Sequence, residues 1–206
     1  MSNTMSAKQK VAVLSGGRGG IGHAIVSRLE KDGYRVCALV CDVTKSEEVY
    51  AAVAKTHAQF GSIDVAIHAA VSPLVRERAS VIDPLKFRQQ FEVAAFGALI
   101  FFQAVLPYMR AQKSGHLIGI TTKALDTDTS SGMSGYVCAK FALRGLLREL
   151  RFELAPNIRV DEVSPGFVPT TLHADLPEAV RAFITERAPS QTPGEVADIV
   201  SKLLLA

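Results

Sequence analysis

Short runs of apolar, often β-branched residues alternate with longer stretches of helical spacing along almost the whole chain. The first run, Val11–Ser15, is nearly continuous in its apolar character, which predicts a strand buried on both faces. The next stretch, Gly20–Lys31, repeats apolar side chains at the spacing of one helix face. This alternation is typical of right-handed βαβ crossovers, so it restricts the fold to a parallel sheet covered by helices on both sides.

The same two patterns recur to the end of the chain. Further strands are predicted at residues 35–41, 63–69, 116–121 and Ile158–Val163, and further helices at residues 47–59, Pro84–Gln112, 136–154 and Pro193–Leu205. Thr192 is a suitable N-cap for the last helix, which has Pro193 at its first position. Five strands and five helices in alternating order predict one α/β domain.

The overall composition limits the classes of protein to which the chain can belong. Its 206 residues suffice for a single domain, and 48% hydrophobic with 21% charged residues are typical of globular proteins. Residues 1–9 are mostly polar and are expected to be a disordered tail. The net charge of +3 is spread without basic runs, so it does not favour nucleic acid as a partner.

Apolar stretches and cysteines bear on location and metal binding. The N-terminal segment has no apolar core of a signal peptide, and the longest apolar stretches, such as residues 94–102, are too short to span a bilayer. Cys37, Cys41 and Cys138 have no metal-ligand spacing and are expected to be free thiols. These features predict a cytoplasmic protein with no metal site and no membrane as partner.

A glycine-rich segment, SGGRGGIG from Ser15 to Gly22, lies between the first predicted strand and the first predicted helix. Such a junction offers unpaired backbone N–H groups and the positive end of a helix to a pyrophosphate. Glycine also allows positive φ angles and close approach of phosphate oxygens. The strand-turn-helix context predicts a dinucleotide site, and the alternative is a tight turn without a ligand.

The spacing of these glycines resembles the TGxxxGxG motif of the short-chain dehydrogenase/reductase family, with Ser15 in the place of the threonine. Three further motifs follow in the order found in that family. They are DVT at residues 42–44, YVCAK at residues 136–140, and IRV followed by PGFVPT between residues 158 and 170. Several motifs in the right order are more specific than one, and the chain resembles a shortened, partly divergent member.

The resemblance implies a three-layer, doubly wound, Rossmann-like parallel sheet that binds NADP or NAD. It implies contact of the DVT segment with adenine and places the PGFVPT segment beside the nicotinamide. The cofactor contacts that it implies in this sequence are Ser15, Gly16, Arg18, Gly20, Ile21, Gly22, Asp42, Val43, Ala69, Ala70, Tyr136, Lys140, Pro165, Gly166, Val168 and Thr170.

Tyr136 and Lys140 are the candidates for acid–base chemistry. They are four residues apart on a predicted helix, so their side chains share a face. The pKa of tyrosine is ordinarily about 10, and a nearby ammonium lowers it by stabilising the phenolate. A surface Tyr–Lys pair is the alternative, but the resemblance implies that Tyr136 is the acid/base and that Lys140 tunes it and binds the nicotinamide ribose.

The family also has a serine, at the end of the preceding strand, that binds the substrate oxygen. Thr122 occupies this position if one residue is inserted before Tyr136, and Lys123 occupies it without the insertion. We favour Thr122, because a threonine hydroxyl can form the hydrogen bonds of a serine.

Two positions depart from the family's pattern. The segment HAAV, beginning at His68, stands where the family has NNAG, and His68 is expected to be structural because the sequence shows no charged partner for it. Ala94 stands where the family has a catalytic asparagine, and it offers no side-chain hydrogen bond. A proton relay that links such an asparagine to Lys140 cannot form in the usual way.

Two segments are shorter than the resemblance implies. The family's helix and strand before DVT are missing, which predicts the strand order 2-1-3-4-5 with the ligand crevice beside the first strand. The segment that covers the substrate is reduced to about residues 171–191, and a smaller lid excludes less water. Residues 72–82, 124–135 and 170–191 are expected to line the substrate pocket.

The choice between NADP and NAD depends on two positions. An acidic residue at the end of the second strand would favour NAD, but the alignment has Val40 there. Arg18 in the glycine turn can bind a 2′-phosphate through two hydrogen bonds, which favours NADP. The alternative for Arg18 is a solvated loop charge.

Three hypotheses for function follow. Tyr136 and Lys140 favour an NAD(P)-dependent oxidoreductase that acts on a carbonyl or secondary alcohol of a small molecule. Ala94, His68 and the missing segments favour a catalytically inactive relative that binds a dinucleotide or a partner. A flavodoxin-like module would share the strand order but would leave the YxxxK and PG motifs unexplained.

Two predicted helices, Pro84–Gln112 and the helix that contains Tyr136, are apolar on more than the one face that packing against the sheet would bury. Burial against the sheet is one explanation, and contact with a second copy across a two-fold axis is another. The resemblance implies a homodimer. The residues concerned are Ala95, Leu99, Phe102, Val105, Phe141, Leu143 and Leu147.

Overall fold

The computed structural model describes residues 9–126, 132–174 and 190–205, together with residues 178 and 182. In this part of the chain five parallel strands form one sheet in the order β2-β1-β3-β4-β5, as the sequence predicted. The predicted tail lies outside the described residues except for residue 9. The strands are β1 (Val11–Ser15), β2 (Arg35–Ala38), β3 (Val65–His68), β4 (Gly115–Ile120) and β5 (Ile158–Val163).

Helices follow the strands and cover both faces of the sheet. One short irregular element, a π-helical turn that we call the π-turn (Glu92–Phe96), joins two of them. The helices are α1 (Gly20–Lys31), α2 (Ser46–Phe60), α3 (Pro84–Phe91), α4 (Gly97–Gln112), α5 (Ser134–Leu154) and α6 (Pro193–Leu205), with 3₁₀ turns at Lys123–Asp126 and Thr171–His173. Thr192 caps α6 as predicted, since its Oγ1 accepts a hydrogen bond from the N–H of Glu195 at 3.2 Å.

Alternate residues of each strand enter two separate apolar cores, as a parallel sheet covered on both sides requires. On one face Val13 and Leu117 pack with Phe101 of α4 and Leu147 of α5. On the other face the strands pack with α1 and α6, through side chains such as Leu14, Ile25, Leu29, Val196 and Val200. The three layers place the carboxyl ends of all strands at one edge, where ligands bind in folds of this kind.

Three predicted elements differ in extent from the structure. The strand predicted at residues 35–41 ends at Ala38, and the chain then turns at Asp42, whose Oδ1 accepts a hydrogen bond from the N–H of Thr44. The strand predicted from residue 63 begins only at Val65, because the backbone of Ile63 pairs with a side chain: its N–H donates to Gln112 Oε1 and its carbonyl accepts from Gln112 Nε2, both at 2.9 Å. The helix predicted over Pro84–Gln112 is interrupted by the π-turn, where the N–H of Gly97 bonds to the carbonyl of Glu92.

One helical run, Pro84–Gln112, is longer as a whole than the apolar stretches that the sequence analysis considered for a membrane span. By length and composition alone, these 29 residues could cross a membrane. Phe101 and Phe102 of this run are fully buried between the sheet and neighbouring helices. Core helices of soluble proteins have the same length and composition, so the run is weak evidence for a membrane span.

Candidate active site

The glycine turn between β1 and α1 has a backbone that only glycine adopts easily. Gly16 has a φ of +76°, and a Cβ atom there would lie 2.5 Å from the backbone nitrogen of Ala70. The carbonyl of Gly16 accepts a hydrogen bond from the N–H of Gly19 at 3.2 Å. Gly16 is therefore required by its φ angle and by the close approach of the chain that follows β3.

The N-terminus of α1 is open to an anion. Gly19 is its N-cap residue, no side chain caps it, and its first turn contains no acidic residue. No side chain therefore occupies its first N–H groups, and no carboxylate offsets the positive end of its dipole at the turn. A Cβ atom at Gly20 would lie 2.7 Å from Cγ2 of Thr170, so glycine keeps this wall open. The bare backbone fits the diphosphate of a dinucleotide.

A cleft with a volume of about 570 Å³ extends from this turn towards the segment after β5. Among the predicted cofactor contacts, Gly16, Gly20, Ile21, Gly22, Ala69 and Thr170 line it. The other residues that line the cleft were not among the predicted cofactor contacts: Gly19, Val71, Pro73, Leu74, Thr171, Leu172 and Ala174. Most of these residues lie in irregular segments, for which the sequence predicted only ranges that line the pocket. Loops have no periodicity, so the sequence does not show which of their residues face the cleft.

The DVT segment lies outside the walls of this cleft. Oδ1 of Asp42 accepts hydrogen bonds from the N–H of Thr44 at 2.9 Å and from its hydroxyl at 2.8 Å. These bonds lower the pKa of Asp42. Val43 is buried and packs against Gly97 at the start of α4. Both residues thus have structural contacts of their own, and their contact with adenine stays a prediction.

The PGFVPT segment is attached to the loop after β4. The carbonyl of Pro165 accepts a hydrogen bond from the N–H of Lys123 at 2.8 Å, and the N–H of Gly166 donates to Gln191 Oε1 at 2.7 Å. Val168 is buried in the core beside α1 and α6. These contacts hold the segment beside the cleft, which Thr170 enters.

Tyr136 and Thr122 meet at the carboxyl edge of the sheet. Tyr136 lies in the first turn of α5, Thr122 follows β4, and their side chains are hydrogen-bonded to each other. Burial raises the pKa of Tyr136 above its ordinary value, and the bond with Thr122 partly opposes this shift. The phenol therefore keeps its proton at neutral pH. Thr122, rather than Lys123, is the residue beside the phenol.

Lys140 lies one helical turn after Tyr136 and is only 3% exposed. Its Nζ donates a hydrogen bond of 2.6 Å to the carbonyl of Ile120 and lies 5.9 Å from the centre of the Tyr136 ring. Burial lowers the pKa of Lys140 to about 8. The pair shares a face as predicted, but the expected lowering of the Tyr136 pKa is not seen, because burial of the phenol outweighs other influences.

His68, at the end of β3, is fully buried. Its Nδ1 lies 2.9 Å from Oγ of Ser15, the first residue of the glycine segment. Burial lowers the pKa of His68 to about 3, and the charge of Lys140 acts in the same direction, so the ring is neutral. The sequence had suggested no charged partner for His68, and the structure places Lys140 within electrostatic range.

Ala94 is buried in the π-turn and has a methyl group where the family has an amide. Irregular helical turns of this kind occur frequently at functional sites. Within the described ranges no cluster of three or more His, Cys, Asp or Glu side chains is suited to a metal ion. Tyr136, Lys140 and His68 are titratable groups at this edge of the sheet whose pKa values burial shifts.

Comparison with known proteins agrees with these motifs. A family model described as enoyl-(acyl carrier protein) reductase matches residues 10–205. An uncharacterized oxidoreductase of Staphylococcus saprophyticus is 33% identical over 193 residues, which cover 81% of this chain and 77% of that protein. This chain belongs to the short-chain dehydrogenase/reductase family.

A second similar protein and a solved structure extend the comparison. The cis-4-hydroxycyclohexanecarboxylate dehydrogenase of Sinomonas cyclohexanicum is 28% identical over 222 residues, covering 95% of this chain and 89% of that protein. The structure of the 3-ketoacyl-(acyl-carrier-protein) reductase from Brucella melitensis, complexed with NADH, matches with a TM-score of 0.88. It is 20% identical and covers 96% of this chain and 91% of that one, so it confirms the Rossmann-like fold.

Proposed function

We propose that this protein transfers a hydride between NADP or NAD and a carbonyl or secondary alcohol of a small molecule, with Tyr136 as the acid/base. The observation that carries the proposal is the group formed by Tyr136, Thr122 and buried Lys140, at the same sheet edge as the uncapped start of α1. The relatives support it, since one is named a dehydrogenase of a hydroxy acid and another was solved with NADH.

In the proposed reaction each side chain acts at the substrate oxygen or through its neighbour. A bound nicotinamide supplies the hydride for reduction or accepts it for oxidation. In reduction Tyr136, which is protonated at neutral pH, gives its phenolic proton to the carbonyl oxygen. Oxidation requires the deprotonated phenol, and so a higher pH, for the phenolate to take the hydroxyl proton. Thr122 holds the substrate oxygen through its hydroxyl. The Lys140 ammonium stabilises the phenolate that remains after proton donation.

Turnover with a tyrosine variant tests the proposal. Oxidation of NADPH and NADH is followed by absorbance with a panel of cyclic and linear ketones. Tyr136→Phe is expected to lower kcat at least about a hundredfold, because general acid catalysis contributes a factor of that order or more. The matched control is Tyr50→Phe, which changes an exposed tyrosine on α2 and should leave turnover unchanged. Equal turnover of wild type and Tyr136→Phe would contradict the assigned role.

For the cofactor we propose NADP. Arg18 is exposed in the glycine turn, and β2 is followed by the exposed Val40 instead of an acidic residue. A guanidinium there can bind a 2′-phosphate, whereas valine offers nothing to a ribose hydroxyl. Fluorescence titration is expected to show tighter binding of NADPH than of NADH, and Arg18→Ala should remove the difference. Tighter binding of NADH by the wild type would refute the preference.

A second candidate function is binding of a dinucleotide without catalysis. Ala94 and His68 favour it, because both stand where the family has hydrogen-bonding amides. In that case the wild-type protein would bind NADPH or NADH tightly and would oxidise neither with any ketone of the panel.

We also propose that the protein is a cytoplasmic homodimer, with neither nucleic acid nor a membrane as a partner.

A further inference from the structure

Two buried polar groups below Tyr136 have hydrogen-bonding capacity to spare. Nε2 of His68 is shielded from solvent and forms no hydrogen bond of regular geometry with any described residue, Lys140 included, although the carbonyl of Val93 lies near the ring. Lys140 carries three N–H donors, and its bond to the carbonyl of Ile120 uses one. Unpaired polar groups in a protein interior are costly, especially when they are charged. The spare acceptor and the spare donors therefore complement each other.

The strand register brings these two groups to the same place. His68 at the end of β3 is the partner of Gly119 on β4, and Lys140 is bonded to the carbonyl of the next residue, Ile120. Neighbouring strands are about 4.8 Å apart, and register partners project to the same face. A Cβ atom at Gly119 would meet Leu147 of α5, so this is the face that α5 and its lysine cover.

We propose that His68 is a positioning residue for Lys140: its Nε2 accepts a hydrogen bond from the Lys140 ammonium while its Nδ1–H donates to Oγ of Ser15. The proposal rests on the proposed function, in which Lys140 supports the acid/base. Since Ser15 begins the glycine turn, the histidine connects the cofactor cradle to the lysine. It also supplies, from a neighbouring strand, a polar contact that the methyl group of Ala94 does not offer.

The opposite tautomer is the competing arrangement. The carbonyl of Val93 in the π-turn lies near the ring and acts to raise the pKa of His68. With the proton on Nε2, that N–H would donate to this carbonyl, and the hydroxyl of Ser15 would donate to Nδ1. His68 would then connect β3, on which it lies, to Ser15 of β1 and to the π-turn by hydrogen bonds, and it would accept none from Lys140. A charge-assisted hydrogen bond is about twice as strong as a neutral one. With a pKa of about 8, Lys140 is mostly charged at neutral pH and is the stronger partner for Nε2.

The tautomer of His68 in the wild-type protein is the first test and requires no variant. Nitrogen NMR of protein labelled with ¹⁵N-histidine distinguishes a protonated Nδ1 from a protonated Nε2, and His68→Gln assigns the signal by its loss. We expect the proton on Nδ1 throughout the neutral pH range. A proton on Nε2 overturns the proposal.

The second test measures the titration of Lys140 from the ¹³Cε shifts of labelled lysine. His68→Leu removes the acceptor of the ammonium and is expected to lower the Lys140 pKa by about one unit. His68→Gln offers an amide oxygen and should restore most of the difference. The matched control is His116→Gln, a change of another largely buried histidine that is paired with Asp161 away from the site. An unchanged Lys140 pKa in both His68 variants overturns the proposal.

Both NMR tests use the full chain without substrate or cofactor, so they separate this inference from the proposed function. If Tyr136→Phe leaves turnover unchanged while Lys140 responds to His68, the oxidoreductase proposal fails and the contact stands. In an active enzyme, His68→Leu is expected to shift the pH profile of kcat. A pH profile identical to that of the wild type overturns the positioning role.

Discussion

Gly16 and Gly145 show at the residue scale how differently two glycines constrain one chain. Gly16 has positive φ and touches the backbone after β3, whereas a Cβ atom at Gly145, on the exposed side of α5, would meet nothing within 4 Å. We predict that Gly16→Ala abolishes measurable NADPH binding and destabilises the fold, because the methyl group collides with backbone. Gly145→Ala, the control, should stabilise it by up to about 1 kcal/mol. Urea unfolding and cofactor titration measure both, and unaltered cofactor binding by Gly16→Ala would contradict the assigned cradle.

His68 gives a second prediction at this scale, for stability in acid. Its pKa is about 3 in the folded protein, against an ordinary 6.5. Below pH 6.5 His68 is protonated in the unfolded chain but stays neutral in the folded protein. The free energy of unfolding therefore decreases as the pH falls towards 3. Urea unfolding between pH 6 and 4 should therefore show a slope about 1 kcal/mol per pH unit smaller for His68→Gln than for the wild type. Equal slopes for the wild type and His68→Gln would refute the buried, neutral histidine.

Single residues also show where sequence reasoning ends. The positions of Tyr136, Lys140 and the glycines were predictable, because helical spacing and turn chemistry are local. The raised pKa of Tyr136 was not, since it depends on burial by elements far away in the sequence. The contact of Ser15 with His68, 53 positions apart, was likewise visible only in the folded sheet.

At the scale of elements, one ion-pair network fixes the 3₁₀ turn that follows Thr122. Arg144 of α5 bonds Glu162 of β5 at 2.8 Å and Asp126 of the 3₁₀ turn at 2.7 Å. The same Glu162 oxygen lies 2.6 Å from Oγ of Ser164. Burial acts to raise the pKa of Glu162, but hydrogen bonds from Ser164, Thr121 and Arg144 together lower it. The network therefore joins three elements that border the site.

We predict that Arg144→Met loosens this turn. It should raise KM for the ketone through misplacement of Thr122, leave NADPH binding unchanged, and cost about 1–3 kcal/mol of stability because Glu162 loses its cation. The control is Arg110→Met, which breaks the pair of Arg110 with Glu153; both side chains are more than half exposed, so the cost should stay below about 1 kcal/mol. Steady-state kinetics and urea unfolding measure both variants. Equal stabilities for the two would show that the network is dispensable.

Elements were predicted well where periodicity decides them and less well where tertiary contacts do. The five strands followed from the alternation, and their order from the family resemblance, which implies a missing segment before residue 42; the structure confirms both. The π-turn left no trace in the helical pattern of Pro84–Gln112, because a single i→i−5 bond shifts the register without changing the composition. The late start of β3 depended on Gln112, a side chain 49 positions away from Ile63.

At the scale of the whole molecule, the two apolar helices divide their side chains between the core and the surface. Of the residues that suggested a second copy, Phe102, Val105, Leu143 and Leu147 are buried in the core, so burial against the sheet explains most of that surface. Phe141 on α5 remains 49% exposed. Phe96 in the π-turn, which contacts α5, is 52% exposed. Fewer of the residues that suggested a second copy are therefore exposed than the sequence had indicated, although Phe152 near the end of α5 is 73% exposed.

These phenylalanines make the proposed homodimer testable. Light scattering should give twice the chain mass of 22.1 kDa for the wild type. Phe141→Asp is expected to yield monomers, because a carboxylate at an apolar interface loses hydration without gaining a partner. Val81→Asp introduces the same charge at an exposed apolar residue outside both helices and should leave the mass unchanged. If the wild-type protein has the mass of one chain, or if Phe141→Asp still has the mass of two chains, the exposed phenylalanines are not part of an interface between copies.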